Sequence, residues 1–168
     1  VNRFLSYSSV LRSNPGLWKH VCLFDANDIF LQKNPFDFIE KNIGDHGLIA
    51  SSEAIKYADE VWGNDNLNQT FPYAYEHLKE NIIYNCGTLS GKTETILALS
   101  DLIFACAVNS SVHIACQASY NYIIQSGMKS LTKFTDMTTG WAVQCGTVEN
   151  TDRMHRPDSM FAEKIIEK

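Results

Sequence analysis

Asp25, Asn27 and Asp28 stand within four residues of one another, directly after the apolar run Val21 to Phe24 in "HVCLFDANDIFLQKNPF". Two carboxylates flanking an amide in a tight turn are hard oxygen donors. They suit Mg²⁺ or Mn²⁺, which keeps several waters and bridges one or two carboxylates to substrate phosphates. The same three residues also suit a plainer role, capping the turn that follows the strand. A second stretch, "GTLSGKT", ends like a phosphate-binding P-loop through Gly91-Lys92-Thr93. That pattern needs four residues between its glycines, and Gly87 and Gly91 are separated by three. The nucleotide-hydrolysing alternative is carried on those residues alone. No G-x-S-x-G elbow is present for a serine hydrolase.

The elements that must position these groups follow from periodicity. Phe4, Tyr7, Val10 and Leu11 have helical spacing over residues 3–13, before Asn14-Pro15-Gly16. Val21 to Phe24 is a short continuous apolar run that suits a strand buried on both faces of a parallel sheet, with Asp25 at its carboxyl end. "FDFIEKN" predicts one or two helical turns, and "GLIASSE" another strand. Residues 59–80 show no sustained period and read as an irregular surface excursion. "NIIYNCGTLSG" returns to strand, and helices follow over about 93–108 and about 112–124. Strands alternating with helices predict an α/β layered fold in one domain spanning 1–168.

With 168 residues, 45% of them hydrophobic, the chain can bury a real core in one domain. A net charge of -5 with scattered Lys and Arg argues against nucleic acid as a partner. The longest apolar stretch, Ile96 to Val108, is interrupted by Asp101 and reads as a buried helix rather than a membrane span. Five cysteines, Cys22, Cys86, Cys106, Cys116 and Cys145, lack zinc-type spacing and read as small buried hydrophobes. The sequons at Asn68 and Asn109 are compatible with a secretory location, such as the Golgi lumen in a eukaryote. Beginning at Val1, the chain reads as an internal piece of a longer one, with room for a membrane anchor outside it.

"DANDIFLQKNPF" resembles a segment of nucleotide-sugar glycosyltransferases of the GT-A fold: D-x-x-D, two hydrophobic residues, then F-Q-x-N/D-P-F, their variant of the DxD motif. Gln32, Asn34, Pro35 and Phe36 fit, and Phe30 is displaced by one position. "YNCGTLSGKTETI" is similar to the family's N-S/A-G strand-to-helix passage, and "CQASYNYIIQSG" to its D-Q helix, with Cys116 where the family has Asp. The resemblance implies a GT-A-like, Rossmann-type mixed sheet with helices on both faces, lacking its N-terminal nucleotide-binding strands. It implies transfer of a sugar from a nucleoside diphosphate sugar, with UDP as the expected nucleotide, to a glycan, lipid or protein hydroxyl. Mn²⁺ or Mg²⁺ would be held by Asp25 and Asp28, with His155 as a late ligand. Asn27, Asn85 and Gly87 would contact substrate, and Cys116 and Gln117 would occupy the catalytic helix position. A relative that binds sugar or nucleotide without turnover is the alternative raised by Cys116.

Overall fold

The computed structural model describes residues 1–25, 29 and 31–143. Asn27, Asp28, Cys145 and His155 lie outside the described residues. The order of elements is α1 (Asn2–Ser13), β1 (His20–Phe24), α2 (Pro35–Asn42), β2 (Leu48–Lys56), α3 (Val61–Thr70), α4 (Tyr75–Leu78), β3 (Ile82–Tyr84), β4 (Thr88–Lys92), α5 (Thr93–Ala107), α6 (Ala115–Gln125) and β5 (Thr132–Thr135). Two short 3₁₀ turns intervene, and a third, Met137–Thr139, follows β5.

The strands form one mixed sheet. β4 runs antiparallel between β1 and β2, and β5 lies parallel on the other side of β2. β3 pairs antiparallel with the second half of β2. β1, β2 and β5 therefore point the same way, and their carboxyl ends share one edge of the sheet. The expected parallel environment of β1 is corrected here. Its neighbour among the described residues is antiparallel, and only His20 and Val21 of the strand are buried.

Alternation along the strands gives the layers. Val21, Leu48, Ala50 and Leu89 face a core that includes Phe4 and Leu11 of α1, Ile96, Leu99 and Ile103 of α5, and Tyr120 and Ile124 of α6. Cys22 and Ile49 face the opposite side and pack with Ile39 and Ile43 around α2. Helices thus cover both faces, the three-layer α/β arrangement expected. The apolar stretch from Ile96 is the buried face of α5, and no helix among the described residues is long and apolar enough to cross a membrane.

Residues 59–80, expected to be irregular, instead contain α3 and α4. Glu60 caps α3, accepting from the Trp62 and Gly63 backbone N–H groups, and Leu67 packs with Tyr57, Phe71 and Ile83 in a satellite core. The stretch read as one strand, "NIIYNCGTLSG", is broken into β3 and β4 by Asn85–Gly87. The break turns out to be the centre of the site.

Candidate functional site

Asp25 follows the last residue of β1. Its backbone N–H donates to the Gly87 carbonyl at 3.0 Å, continuing the β1–β4 ladder one step past Phe24 and Thr88. One carboxylate oxygen is paired with the Arg3 guanidinium from the first turn of α1. The guanidinium is held in that direction over the ring of fully buried Phe4, 4.9 Å from its centroid. The other oxygen lies beside Gly87, where an added Cβ would come within 2.9 Å of it and within 3.0 Å of Asn85 Oδ1. Gly87 thus leaves the space into which the Asp25 carboxylate fits.

Asn85 shapes the break between β3 and β4. Its carboxamide oxygen accepts from the Gly87 N–H at 2.8 Å, an Asx-type turn, and its Nδ2 donates to Glu53 Oε1 at 3.2 Å. Glu53 reaches this position because β2 is irregular between Ser52 and Lys56, with Ala54 in the left-handed region at φ 56°. The Ala54 N–H is taken by Ser52 Oγ at 2.8 Å. Glu53 is 9% exposed, and burial pushes its carboxyl above the usual carboxylate range. Hydrogen bonds from Asn85 and Gln117 oppose that shift, and Glu60 adds to it.

Behind these groups stands α6. Gln117, Asn121 and Gln125 are spaced four apart and present one row of carboxamides to β3 and the break. Gln125 Nε2 donates to the Ile82 carbonyl at 3.1 Å. Asn121 accepts from the Tyr84 N–H and donates to the Tyr84 carbonyl, both at 2.8 Å. Gln117 Oε1 accepts from the Cys86 N–H at 3.0 Å, and its Nε2 donates to the Tyr84 carbonyl at 3.0 Å. The three side chains take the place of a neighbouring strand, which β3 lacks on this side among the described residues.

Gln117, expected at the catalytic helix position, divides its side chain between the backbone of Tyr84 and Cys86 and the Glu53 carboxylate, to which Nε2 also donates at 3.4 Å. Cys116 is 5% exposed and faces Cys86, which is 3% exposed; the Cys86 thiol donates to the Cys116 carbonyl at 3.5 Å. Interaction with the Cys86 thiol draws the Cys116 thiol down to about 6, against burial and with help from Arg3, and the same interaction with burial pushes Cys86 up. Ile114, which precedes α6, holds a left-handed backbone at φ 60°, rare for a β-branched residue. Asn66 Nδ2 of α3 donates to the neighbouring His113 carbonyl at 3.2 Å.

The structure thus brings together Asp25, Asn85, Gly87, Gln117 and Cys116 from the sequence analysis. It adds Arg3, Glu53 and Cys86. Arg3 carried no sequence signal. Glu53 was hidden because the irregularity in β2, not alternation, aims it inward. Asn27, Asp28 and His155 lie outside the described residues, and among the described residues no group of three His, Cys, Asp or Glu could hold a metal ion.

The P-loop alternative meets a different geometry. Thr88–Lys92 is a strand, with Gly91 paired to both Val21 and Leu48, and the Lys92 N–H donates to the Gly47 carbonyl at 2.7 Å. Those amides are committed to the sheet instead of forming a phosphate cradle. A shallow depression of about 310 Å³ between Asn81, Tyr84, Gln125 and Phe134 lies toward the other end of β3 and shares none of the carboxylates described above. No family model, curated protein or solved structure matches this chain.

Proposed function

We propose that the chain is part of a metal-dependent glycosyltransferase that moves a sugar from a nucleoside diphosphate sugar, UDP-linked, to a hydroxyl of a glycan, lipid or protein. One observation carries the reading. The three segments that resemble the GT-A family, separated by tens of residues in sequence, meet at a single point: Asp25 N–H on Gly87, and the Cys86 N–H on Gln117. That point lies at the shared carboxyl ends of the parallel strands, where open α/β sheets bind ligands.

On this reading a hard divalent cation would sit at Asp25, whose chemistry as an oxygen donor suits it. Asp25 sits at the strand end with one oxygen in a space that a Cβ at position 87 would fill. Asp28 and His155, outside the described residues, would complete the ligands of Mn²⁺ or Mg²⁺. When bound, that ion neutralises charge developing on the departing diphosphate. Arg3, already directed at Asp25, offers a guanidinium suited to phosphate oxygens. Glu53 is the carboxylate best suited to accept the proton of the acceptor hydroxyl, because burial makes it a stronger base than an exposed one. Asn85 holds its orientation.

Titration calorimetry with UDP in the presence and absence of Mn²⁺ tests the reading. Metal-dependent binding that Asp25→Ala abolishes supports it, and equal binding by parent and variant overturns the metal assignment. The second reading, a relative that binds without turnover, is favoured by Cys116 where the family has Asp. Donor hydrolysis or transfer by the chain separates the two: binding with no turnover at saturating Mn²⁺ supports the second.

A further inference from the structure

We propose that Trp62, at the start of α3, is the platform on which the acceptor rests, and that the acceptor is an uncharged pyranose of a glycan. The inference rests on the transferase reading, which calls for a second substrate beside Glu53. The Trp62 side chain is 49% exposed, next to exposed Val61, yet its backbone is fixed. Its N–H donates to Glu60 Oε1 at 3.1 Å. The following residue, Gly63, is packed so closely that a Cβ there would lie 2.9 Å from Ile83 Cδ1 and 3.4 Å from Tyr57 Cδ1. Ile83 stands two residues before Asn85. Trp62 and Asn66 lie one turn apart on the same side of α3. Asn66 Nδ2 donates to the carbonyls of His113 at 3.2 Å and Ile114 at 3.5 Å, in the segment that leads into Gln117. Trp62 is thus tied, at one turn's remove, to both segments whose side chains hold the Glu53 carboxylate, the break through Asn85 and α6 through Gln117.

The surroundings of the indole select the ligand. Asp59 and Asp65, both exposed, stand three residues to either side of it, and Glu60 lies between. An apolar ring with a carboxylate rim repels anionic headgroups and phosphates. An acyl chain would cover the ring and leave the rim without donors. A pyranose matches both parts: its C–H face lies against the negative π face of the indole, and its hydroxyls donate to the carboxylates. Exposed Ile114, on the α6 side, adds apolar surface to the same platform.

Saturation-transfer NMR on the native chain tests this with the methyl glycosides of glucose, galactose, mannose, xylose and N-acetylglucosamine, with a serine peptide and glycerol phosphate as the rival acceptors, each with and without UDP and Mn²⁺. One or more of the pyranosides should receive saturation, strongest at the C–H protons of one ring face. Trp62→Ala should weaken that binding about tenfold, and Trp62→Phe should keep most of it. Trp18→Ala, which removes another half-exposed indole at the end of β1 opposite Asp25, should change nothing. Calorimetry with UDP and Mn²⁺ should give the same affinity for Trp62→Ala as for the parent. The proposal is overturned if no pyranoside receives saturation, if transfer is equal in parent and Trp62→Ala, or if only the peptide or glycerol phosphate binds. Pyranoside binding through Trp62 by a chain that does not bind UDP and Mn²⁺ upholds the sugar site and overturns the transferase reading instead.

Discussion

Glu53 retains its proton to higher pH than an exposed carboxylate because burial removes the water that would stabilise its charge. A folded-state pKa raised above the unfolded value means that the folded chain holds the extra proton over the intervening pH window. The stability this confers is full below the ordinary carboxylate range and is lost as pH rises through the raised value. Glu53→Gln keeps an acceptor oxygen for Asn85 and Gln117 but has no charge to bury. Its melting temperature relative to the parent should therefore climb as pH rises above the ordinary carboxylate range; a flat difference would mean the buried charge costs nothing. The same variant should lose about 10²–10⁴-fold in transfer rate if Glu53 is the base, a separate readout. At Gly87 the expectation is the reverse. Gly87→Ala puts a methyl against the Asp25 carboxylate and the Asn85 amide, so UDP/Mn²⁺ affinity measured by calorimetry should fall at least tenfold while the far-UV spectrum stays native. Asp25 was legible because it follows a short apolar run, and Gly87 through the resemblance of "YNCGTLSG" to the family's strand-to-helix passage. The sequence could not point to Arg3, whose partner is 22 residues away on another element, or to Glu53, whose direction depends on the backbone of Ala54.

At the scale of elements, α6 does the work of a missing strand. Its carboxamides at 117, 121 and 125 satisfy backbone groups of β3 and of the break, and Asn121 serves both the N–H and the C=O of Tyr84. Asn121 is fully buried, so Asn121→Ala leaves a buried N–H without its acceptor and should cost about 2–4 kcal/mol. Denaturant titration should show the midpoint falling with unchanged slope. Gln125→Ala, which removes one donor from the Ile82 carbonyl and leaves no N–H without an acceptor, should cost about 1 kcal/mol or less. Equal losses at the two positions would show that the row is not acting as a strand substitute. The helices α1, α2, α5 and α6 could be read from the spacing of their apolar residues, and the strands β1, β2 and β4 from short apolar runs bounded by turn residues. α3 could not: its only large apolar residue facing the core is Leu67, it carries Gly63, and its start depends on a Glu cap. β5 could not either. "TKFT" is short and polar at all but Phe134, and it is a strand because β2 offers a parallel edge and Thr135 Oγ1 donates to the Ala50 carbonyl at 2.8 Å.

Over the whole molecule, β4 is the strand on which the arrangement depends. It alone among the described strands joins β1, which ends in Asp25, to β2, which carries Glu53, so the spacing of the two carboxylates is the spacing of β4 from its neighbours. That spacing is set at Gly91. A Cβ there would strike the Gly47 carbonyl and come within 2.7 Å of Leu48 Cα, and both are backbone atoms that cannot rotate away. Gly91→Ala must therefore push β2 from β4 or twist the ladder at the Leu48 and Ile49 pairings. Overpacking of this kind costs about 1–3 kcal/mol where side chains can adjust, and here backbone must move, so a loss at or above about 3 kcal/mol is expected. Gly127 supplies the contrast: a methyl added there would meet nothing within 4 Å, and its φ is not in the left-handed range. Gly127→Ala should be neutral or raise stability by about 0.4–1 kcal/mol through the unfolded chain. Thermal denaturation of the two variants beside the parent, followed by UDP/Mn²⁺ calorimetry below each midpoint, tests whether β4 links fold to site. Gly91→Ala should lose stability and ligand binding together, with excess Mn²⁺ restoring neither. A Gly91→Ala protein as stable as Gly127→Ala would show that the β4–β2 contact is not the constraint that holds the two carboxylates in register.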